Sequence, residues 1–144
     1  MKKALTDNSY LVALIDEGHA RHRRVLRWQR RIVRREFQGV LAAHTLAETY
    51  SVLTRMPHTP PISPAIAWQA IERNMVHFDT IALTEAEYIQ VISDLAARGI
   101  GGGPTYDALI AAVARKAEVD LLLTLNASHF LRVAPDLADR IREP

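Results

Sequence analysis

The sequence predicts an α/β protein, a three-layer α/β/α sandwich around a central, mostly parallel sheet. Segments with strand character alternate along the 144 residues with segments of helical periodicity. At least two strand segments are continuous apolar runs, which is typical of a parallel sheet covered by helices on both faces. Because 49% of the residues are hydrophobic, we expect residues 1–144 to bury one core and form a single domain.

Composition excludes several classes of protein. The chain has no cysteine, which rules out a disulfide scaffold, a zinc–thiolate site and a cysteine nucleophile. No apolar run approaches the roughly 20 residues of a membrane span. The first residues also lack the apolar segment of a signal peptide. We therefore expect a soluble, cytoplasmic protein that has no membrane partner.

The first part of the chain is predicted to contain two strands and several helical segments. A strand at 4–6 leads through a polar turn into a helix that starts at Ser9. The arginine-rich segment 19–35 follows and carries one apolar stripe. A second strand is predicted over 39–43 and a helix over 45–55.

The rest of the chain is predicted to repeat this alternation after a proline-rich connection that no helix can cross. The connection spans 57–64, with Ser63 as the cap of the next helix. The later elements are, in order, a helix over 66–76, a strand over 77–83, a helix from a capping box at Thr84 to Arg98, a glycine-rich loop over 99–103, a helix over 104–116, a strand over 119–125 and a short helical end.

Four polar residues lie close to the predicted ends of strands, where sites of parallel α/β proteins are found. They are Asp7 after the first strand, Glu48 in the helix after the second, Asp107 in the helix after the glycine loop, and Asn126 after the last strand. Each alone has a structural explanation as a cap, a turn residue or a solvated side chain. Together, three carboxylates would repel unless a cation lay among them, and oxygen ligands favour Mg²⁺ or Mn²⁺.

Four ordered blocks of sequence resemble the PIN domain family. They are Asp7-Asn8-Ser9 with 11–16, then Leu46–Arg55, Tyr106–Ala114 and Leu122–Phe130. The blocks follow one another in the family's order and spacing and cover essentially the whole chain. The short form resembles the VapC toxins of type II toxin–antitoxin pairs.

The resemblance implies an Mg²⁺- or Mn²⁺-dependent endoribonuclease that cleaves phosphodiesters of tRNA, rRNA or mRNA. Water attacks in line and leaves a 5′-phosphate and a 3′-hydroxyl. The resemblance implies that Asp7 and Asp107 are the principal metal ligands, and that Glu48 binds the metal or orients water. Asn126 occupies a fourth position where many relatives have Asp and others Asn, so either weaker metal binding or a second metal that arrives only with substrate is expected. Asn8 stands where a hydroxyl residue is common, and Ser9 is expected to supply that hydroxyl.

The resemblance also implies protein partners. These are a second copy of the chain in a homodimer and a small cognate antitoxin that covers the active site and binds promoter DNA. The chain would then contact DNA only indirectly. Because Asn126 is uncharged, the alternative function is a catalytically decayed module that binds RNA or a partner. A haloacid-dehalogenase-type phosphatase is disfavoured, because Ser9 stands where that chemistry needs a second Asp.

Arginine is concentrated in one segment. Eight of the eighteen basic residues lie within 21–35, so the rest of the chain is net acidic. Arg27, Arg30 and Arg34 are candidate contacts for RNA phosphates. The segment could equally be a solvated helix face, or could dock an acidic segment of the antitoxin. His129, at a predicted helix start, is either a surface residue or a contact for substrate phosphate.

Overall fold

The computed structural model describes all 144 residues and has five strands in one sheet. The strands are β1 (Lys3–Thr6), β2 (Gln38–Ala42), β3 (Phe78–Ile81), β4 (Leu121–Leu123) and β5 (Ile141–Arg142). Their order is β3-β2-β1-β4-β5, and every pairing is parallel. The predicted α/β class is therefore confirmed, and the carboxyl ends of the strands share one edge of the sheet.

Seven α-helices and one 3-10 turn connect and cover the strands. They are α1 (Asn8–Ile15), α2 (His22–Val33), α3 (Ala43–Arg55), α4 (Pro64–Met75), α5 (Glu85–Ala97), α6 (Pro104–Lys116), α7 (Ala127–Val133) and the 3-10 turn Pro135–Leu137. None of these helices has the length and hydropathy that a membrane span would require.

The three central strands β2, β1 and β4 are buried on both faces, as the continuous apolar strands predict, whereas the edge strands β3 and β5 are partly exposed. Successive side chains of a strand point to opposite faces, so β1 contributes to two cores. Leu5 packs with residues of α6 and α7 such as Val113 and Phe130. Ala4 packs on the other side with residues of α1 and α2 such as Leu11. The two layers of helices hold the carboxyl edge of the sheet in place from both sides.

Two predicted helix starts are confirmed by their caps. The Ser63 hydroxyl accepts a hydrogen bond of 3.2 Å from the backbone N–H of Ile66 at the start of α4. Thr84 and Glu87 form the reciprocal capping box of α5. Each cap satisfies backbone N–H groups that have no partner inside the helix.

Gly39 is required where β2 passes beneath α2 and beside β3. A Cβ atom at this position would lie 2.7 Å from Cδ1 of Phe78, 2.8 Å from the carbonyl oxygen of His77 and 2.9 Å from Cγ2 of Ile32. Real Cβ atoms do not approach other atoms so closely. The absence of a side chain therefore allows the helix and the two strands to pack together.

The prediction for the C-terminal end is wrong in part. A helix does follow β4, but the chain then returns as β5, a fifth strand too short to show periodicity. The strand predicted over 119–125 covers only Leu121–Leu123, because the N–H of Leu125 donates to a side chain instead of a neighbouring strand. Helices α1 and α3 begin at Asn8 and Ala43, slightly earlier than predicted.

Candidate active site

Asp7 is a buried carboxylate at the carboxyl end of β1. Only 2% of the residue is exposed. Oδ1 accepts hydrogen bonds from the Ser9 hydroxyl at 2.6 Å and from the backbone N–H of Tyr10 at 3.1 Å. Oδ2 accepts one from the Thr124 hydroxyl at 2.7 Å. Burial raises the pKa of Asp7, and these hydrogen bonds oppose the rise.

The two hydroxyl groups around Asp7 are themselves held by the segment after β4. The N–H of Leu125 donates to the Ser9 hydroxyl at 3.0 Å, and the N–H of Asn126 donates to the Thr124 hydroxyl at 3.0 Å. Ser9 supplies the hydroxyl group expected beside Asp7. Thr124 was not singled out, since only the parallel pairing of β1 and β4 brings it across 117 residues of chain to Asp7.

Glu48 and Asp107 lie close enough to Asp7 for its charge to raise their pKa values. Burial, followed by the charges of Asp7 and Asp107, raises the pKa of Glu48 to about 7. Burial and the charge of Asp7 raise the pKa of Asp107 to about 6, and His129 acts in the opposite direction. The structure thus brings the three predicted carboxylates into one electrostatically coupled cluster.

Glu48 also has an unusual neighbour on its own helix. Nε2 of His44, one turn earlier on α3, lies 3.5 Å from Oε1 of Glu48. Both atoms are buried, and neither makes a hydrogen bond. Burial also lowers the pKa of His44, so its ring is not a permanent cation that would neutralise Glu48. An unpaired buried carboxylate oxygen is costly, and a cation or a hydrogen-bond donor bound beside it would offset that cost.

The carboxylate cluster fits a hard divalent cation in its donor chemistry. It offers oxygen atoms, and Glu48 and Asp107 accept no hydrogen bond from the protein. As the side chains stand in this structure, however, no group of three or more His, Asp or Glu residues could hold a metal ion. An open set of carboxylates suits Mg²⁺ or Mn²⁺ better than Zn²⁺, because Mg²⁺ usually keeps several water ligands.

Three adjoining cavities open around this cluster, and Asn8 lines all of them. The first, of about 400 Å³, contains Glu48 and Asp107 and is also lined by His129 and Arg132. We call it the α7 cavity. The second, of about 610 Å³, is lined by residues of α3 and by two tyrosines, including the exposed Tyr106. Glu48 is therefore accessible from two cavities and Asp107 from one, whereas Asp7 is buried and lines none of them.

Asn126 lies in the third cavity, which we call the α2 cavity. This space of about 380 Å³ is lined by Ser9, His19, Arg21 and Asn126 among others. Asn126 is exposed at the start of α7, and its side chain makes no capping hydrogen bond. It does not line the cavity that holds Glu48 and Asp107. The sequence placed it at the correct edge of the sheet, and its role there stays a prediction.

The arginines of α2 and of its C-cap, Arg34, are of two kinds. Arg27, Arg30 and Arg34 are exposed and form no ion pair. Arg31 instead pairs with Glu36 at 2.8 Å and lies over the ring of Trp28 at 4.8 Å. The first kind is free to contact an anionic partner, and the second contributes to packing.

Sequence reasoning missed several residues that surround the cluster. From the sequence, Arg21 is predicted only as part of a basic segment, and Arg132 and His44 are not predicted as site residues. Helical spacing in the sequence does connect two of them with predicted site residues. His44 lies one helical turn before Glu48, and Arg132 lies one turn after His129, so each shares a helix face with a candidate.

Comparison with known proteins gives a consistent family. The model of the PIN domain matches residues 4–135. Ribonuclease VapC40 from Mycobacterium tuberculosis is 36% identical over 116 residues, which are 81% of this chain and 81% of that protein.

Solved structures share the fold at lower identity. VapC20 from Mycobacterium tuberculosis, described as a sarcin-ricin loop cleaving toxin, superposes with a TM-score of 0.70 at 20% identity, over 88% of this chain and 92% of that one. DNA-bound VapBC from Salmonella typhimurium gives a TM-score of 0.67 at 20% identity, over 99% of this chain and 98% of that one. These structures match the parallel sheet and its covering helices.

Proposed function

This chain belongs to the PIN domain family, and from that premise we propose that it is a metal-dependent endoribonuclease, the toxin of a toxin–antitoxin pair. The observation that carries the proposal is the cluster of Asp7, Glu48 and Asp107 at the carboxyl edge of the sheet. Hydrogen bonds hold the Asp7 carboxylate rigid, whereas the carboxylates of Glu48 and Asp107 accept no hydrogen bond from the protein. Such an arrangement suits hydrolysis of a phosphodiester.

The three carboxylates divide the work of the reaction. A divalent cation, when bound, supplies a positive charge that favours ionisation of water and offsets charge on the phosphate. Asp7 and Asp107 are the proposed ligands of that cation, Mg²⁺ or Mn²⁺. Glu48 either joins them or accepts a hydrogen bond from the attacking water, because its side chain lines the same cavity as Asp107. The products have a 5′-phosphate and a 3′-hydroxyl.

Rigidity of Asp7 is the contribution of the fold. Its two oxygens accept three hydrogen bonds, from Ser9, Tyr10 and Thr124, so the carboxylate cannot rotate freely. A ligand held in this way binds without losing further side-chain entropy. Asn126 could add an amide oxygen at the substrate side of the same edge, without adding charge.

RNA contacts beyond the cluster are proposed on two helices. Arg27 and Arg30 on α2, together with Arg34 at its C-cap, present three unpaired guanidinium groups. His129 on α7 lines the cavity that contains Asp107. Positive groups at these positions would offset the repulsion between the carboxylates and the phosphate backbone of RNA.

The proposed protein partners follow from family membership. A cognate antitoxin would cover the three cavities, and a second copy of the chain would form a homodimer. Contact with promoter DNA would be made by the antitoxin. The structure of DNA-bound VapBC, which shares this fold, supports a complex of this kind with DNA.

The alternative, a decayed module that only binds RNA or a partner, is less well supported. It was suggested by the uncharged Asn126, yet the three carboxylates are retained and remain coupled to one another. A decayed site would have no reason to keep an unfavourable cluster of unneutralised carboxylates.

Expression in a bacterial host that lacks the antitoxin tests the toxin function. The unchanged chain should arrest growth, and the Asp107→Asn variant should not. Asp139→Asn is the matched control, because Asp139 is exposed and lies outside all three cavities. Equal growth arrest by the Asp107→Asn variant would contradict the proposal.

A further inference from the structure

We propose that a single strand of RNA crosses the carboxylates between two cationic phosphate sites, the α2 cavity with Arg21 and the α7 cavity with Arg132. Each site holds a backbone phosphate on one side of the scissile bond. This inference rests on the proposed function and specifies how that site holds its substrate. It goes beyond the carboxylates because it assigns the two cavities that flank them.

Asn8 joins the two cavities. It follows Asp7 directly and lines both the α2 cavity and the α7 cavity. Its side chain is partly buried and makes no hydrogen bond within the protein. A strand that runs from one cavity to the other must therefore pass Asn8, next to the buried carboxylate.

The α2 cavity is lined by donors that make no hydrogen bond within the protein, although Arg21 forms a long ion pair with Glu143. Nη1 of Arg21 is buried without a hydrogen bond, and its nearest carboxylate oxygen, in Glu143, is 3.6 Å away. Nδ1 of His19 accepts the N–H of Arg21 at 3.0 Å, so a neutral ring carries its proton on Nε2. An anion in this cavity would satisfy both donors, and an orphaned buried guanidinium N–H is costly without one.

The α7 cavity has the same character on the other side. His129 and Arg132 are three residues apart on α7, so their side chains lie on one helix face. Both are exposed, line the cavity beside Asp107, and form no ion pair. The Arg132 side chain makes no hydrogen bond within the protein. The guanidinium of Arg98 donates to the backbone oxygen of Arg132, not to its side chain. The Arg132 guanidinium remains available for a phosphate.

Positive groups in the α2 and α7 cavities would offset the repulsion between the carboxylates and the RNA backbone. The carboxylates repel an RNA backbone, and a bound cation offsets that repulsion only at the scissile phosphate. Positive groups on both sides attract the neighbouring phosphates and hold the strand in register across the cluster. With positive groups on one side only, the phosphates on the other side of the scissile bond would have no cation to bind.

Binding of a short, fluorescently labelled single-stranded RNA tests the two sites separately. Affinity is measured in EDTA, so that the RNA stays intact, over a range of about 50 to 200 mM KCl. Arg21→Ala and Arg132→Ala should each reduce the slope of log affinity against log salt by about 0.7, the value for one phosphate contact on a single strand. Arg73→Ala, on the exposed part of α4, should leave the slope unchanged.

A structural role for Arg21 predicts a different pattern. Glu143→Gln breaks the same ion pair as Arg21→Ala, so a loss of stability would weaken RNA binding in both variants. If Arg21 binds phosphate, Glu143→Gln should retain or increase affinity, because a competing anion is removed. Weaker binding in both variants would overturn the assignment of the α2 cavity.

The outcomes separate this inference from the proposed function. If Arg21→Ala or Arg132→Ala binds RNA with the slope and affinity of Arg73→Ala, that cavity is not a phosphate site and the proposal fails, whether or not RNA is cleaved. Failure of the unchanged chain to bind the RNA also overturns it. If both variants behave as expected and no RNA is cleaved with metal, the two sites stand and the nuclease function fails.

Discussion

The hydroxyl group of Thr124 donates a hydrogen bond of 2.7 Å to Oδ2 of Asp7, at the point where β1 and β4 end side by side. The Ser9 hydroxyl occupies the other oxygen. These bonds fix a carboxylate that is almost completely buried, and they join two strands that are far apart in sequence. The position of Asp7 therefore depends on two hydroxyl groups as well as on its own strand.

Removal of the Thr124 hydroxyl should loosen this carboxylate. Thr124→Val keeps the shape of the side chain and leaves Oδ2 of Asp7 without its donor, at a cost of about 1–2 kcal/mol of folding free energy. RNA cleavage should fall by about tenfold or more, since groups that orient a ligand matter to this degree. Thr80→Val, at an exposed position of β3, is the control for both cleavage and thermal unfolding. Unchanged cleavage by the Thr124→Val variant would show that Asp7 does not need this bond.

Glu48→Gln should stabilise the metal-free protein in a pH-dependent way. The pKa of Glu48 rises on folding, from 4.5 to about 7, so the ionised carboxylate destabilises the folded state. Its unfavourable effect is absent below about pH 4.5 and reaches full size above about pH 7.

Thermal unfolding in EDTA measures this effect. At about pH 8, the Glu48→Gln variant should be more stable than the unchanged chain by on the order of 2 kcal/mol, and the gain should vanish near pH 4.5. Glu72→Gln, on the exposed face of α4, should show no such dependence. A gain of the same size at both pH values would contradict the role of charge.

Loss of Arg27, Arg30 and Arg34, three of the exposed arginines on or next to α2, should weaken RNA binding. The triple replacement of Arg27, Arg30 and Arg34 by Ala should reduce the salt slope for a single-stranded RNA by about 2 if each contacts one phosphate. Circular dichroism should confirm that α2 is retained. An unchanged slope would favour the interpretation of this helix as a solvated face. If the variant instead binds only the antitoxin more weakly, the helix docks an acidic segment of the antitoxin.

Gly39→Ala should destabilise the fold rather than the site. The added methyl group would lie within 3 Å of atoms of Ile32, His77 and Phe78, two of which belong to neighbouring elements of the core. We expect a loss of about 1–3 kcal/mol in denaturant unfolding, as for other overpacked cores. Gly101→Ala, where the space around the new Cβ is open, should cost little. Equal stability of the two variants would be evidence against the close approach of α2 to β2.

Much of the fold and of the carboxylate cluster could be predicted from the sequence. Alternating periodicity indicated the class, and Ser63 and Thr84 marked helix starts that the structure has. Asp7, Glu48 and Asp107 were predicted together because the ends of parallel strands share an edge. Their mutual effects on pKa agree with that reasoning.

The remainder depends on contacts that sequence periodicity does not record. Thr124 reaches Asp7 only after β1 and β4 pair. The strand β5 has two residues, which is too few to distinguish from a turn. Arg21 and Arg132 come from different helices, and their relation to the carboxylates becomes visible only when the cavities on either side are seen.

The most direct test of the nuclease is cleavage of total tRNA and ribosomal RNA by the purified, antitoxin-free protein, with Mg²⁺, with Mn²⁺ and with EDTA. The Asp7→Asn variant, prepared in parallel, controls for contaminating nuclease. We predict discrete products with 5′-phosphate ends that are absent in EDTA and absent with Asp7→Asn. Products that persist with EDTA or with Asp7→Asn, or no cleavage by a protein that binds neither metal, would contradict the assignment of this carboxylate cluster as a metal-dependent active site.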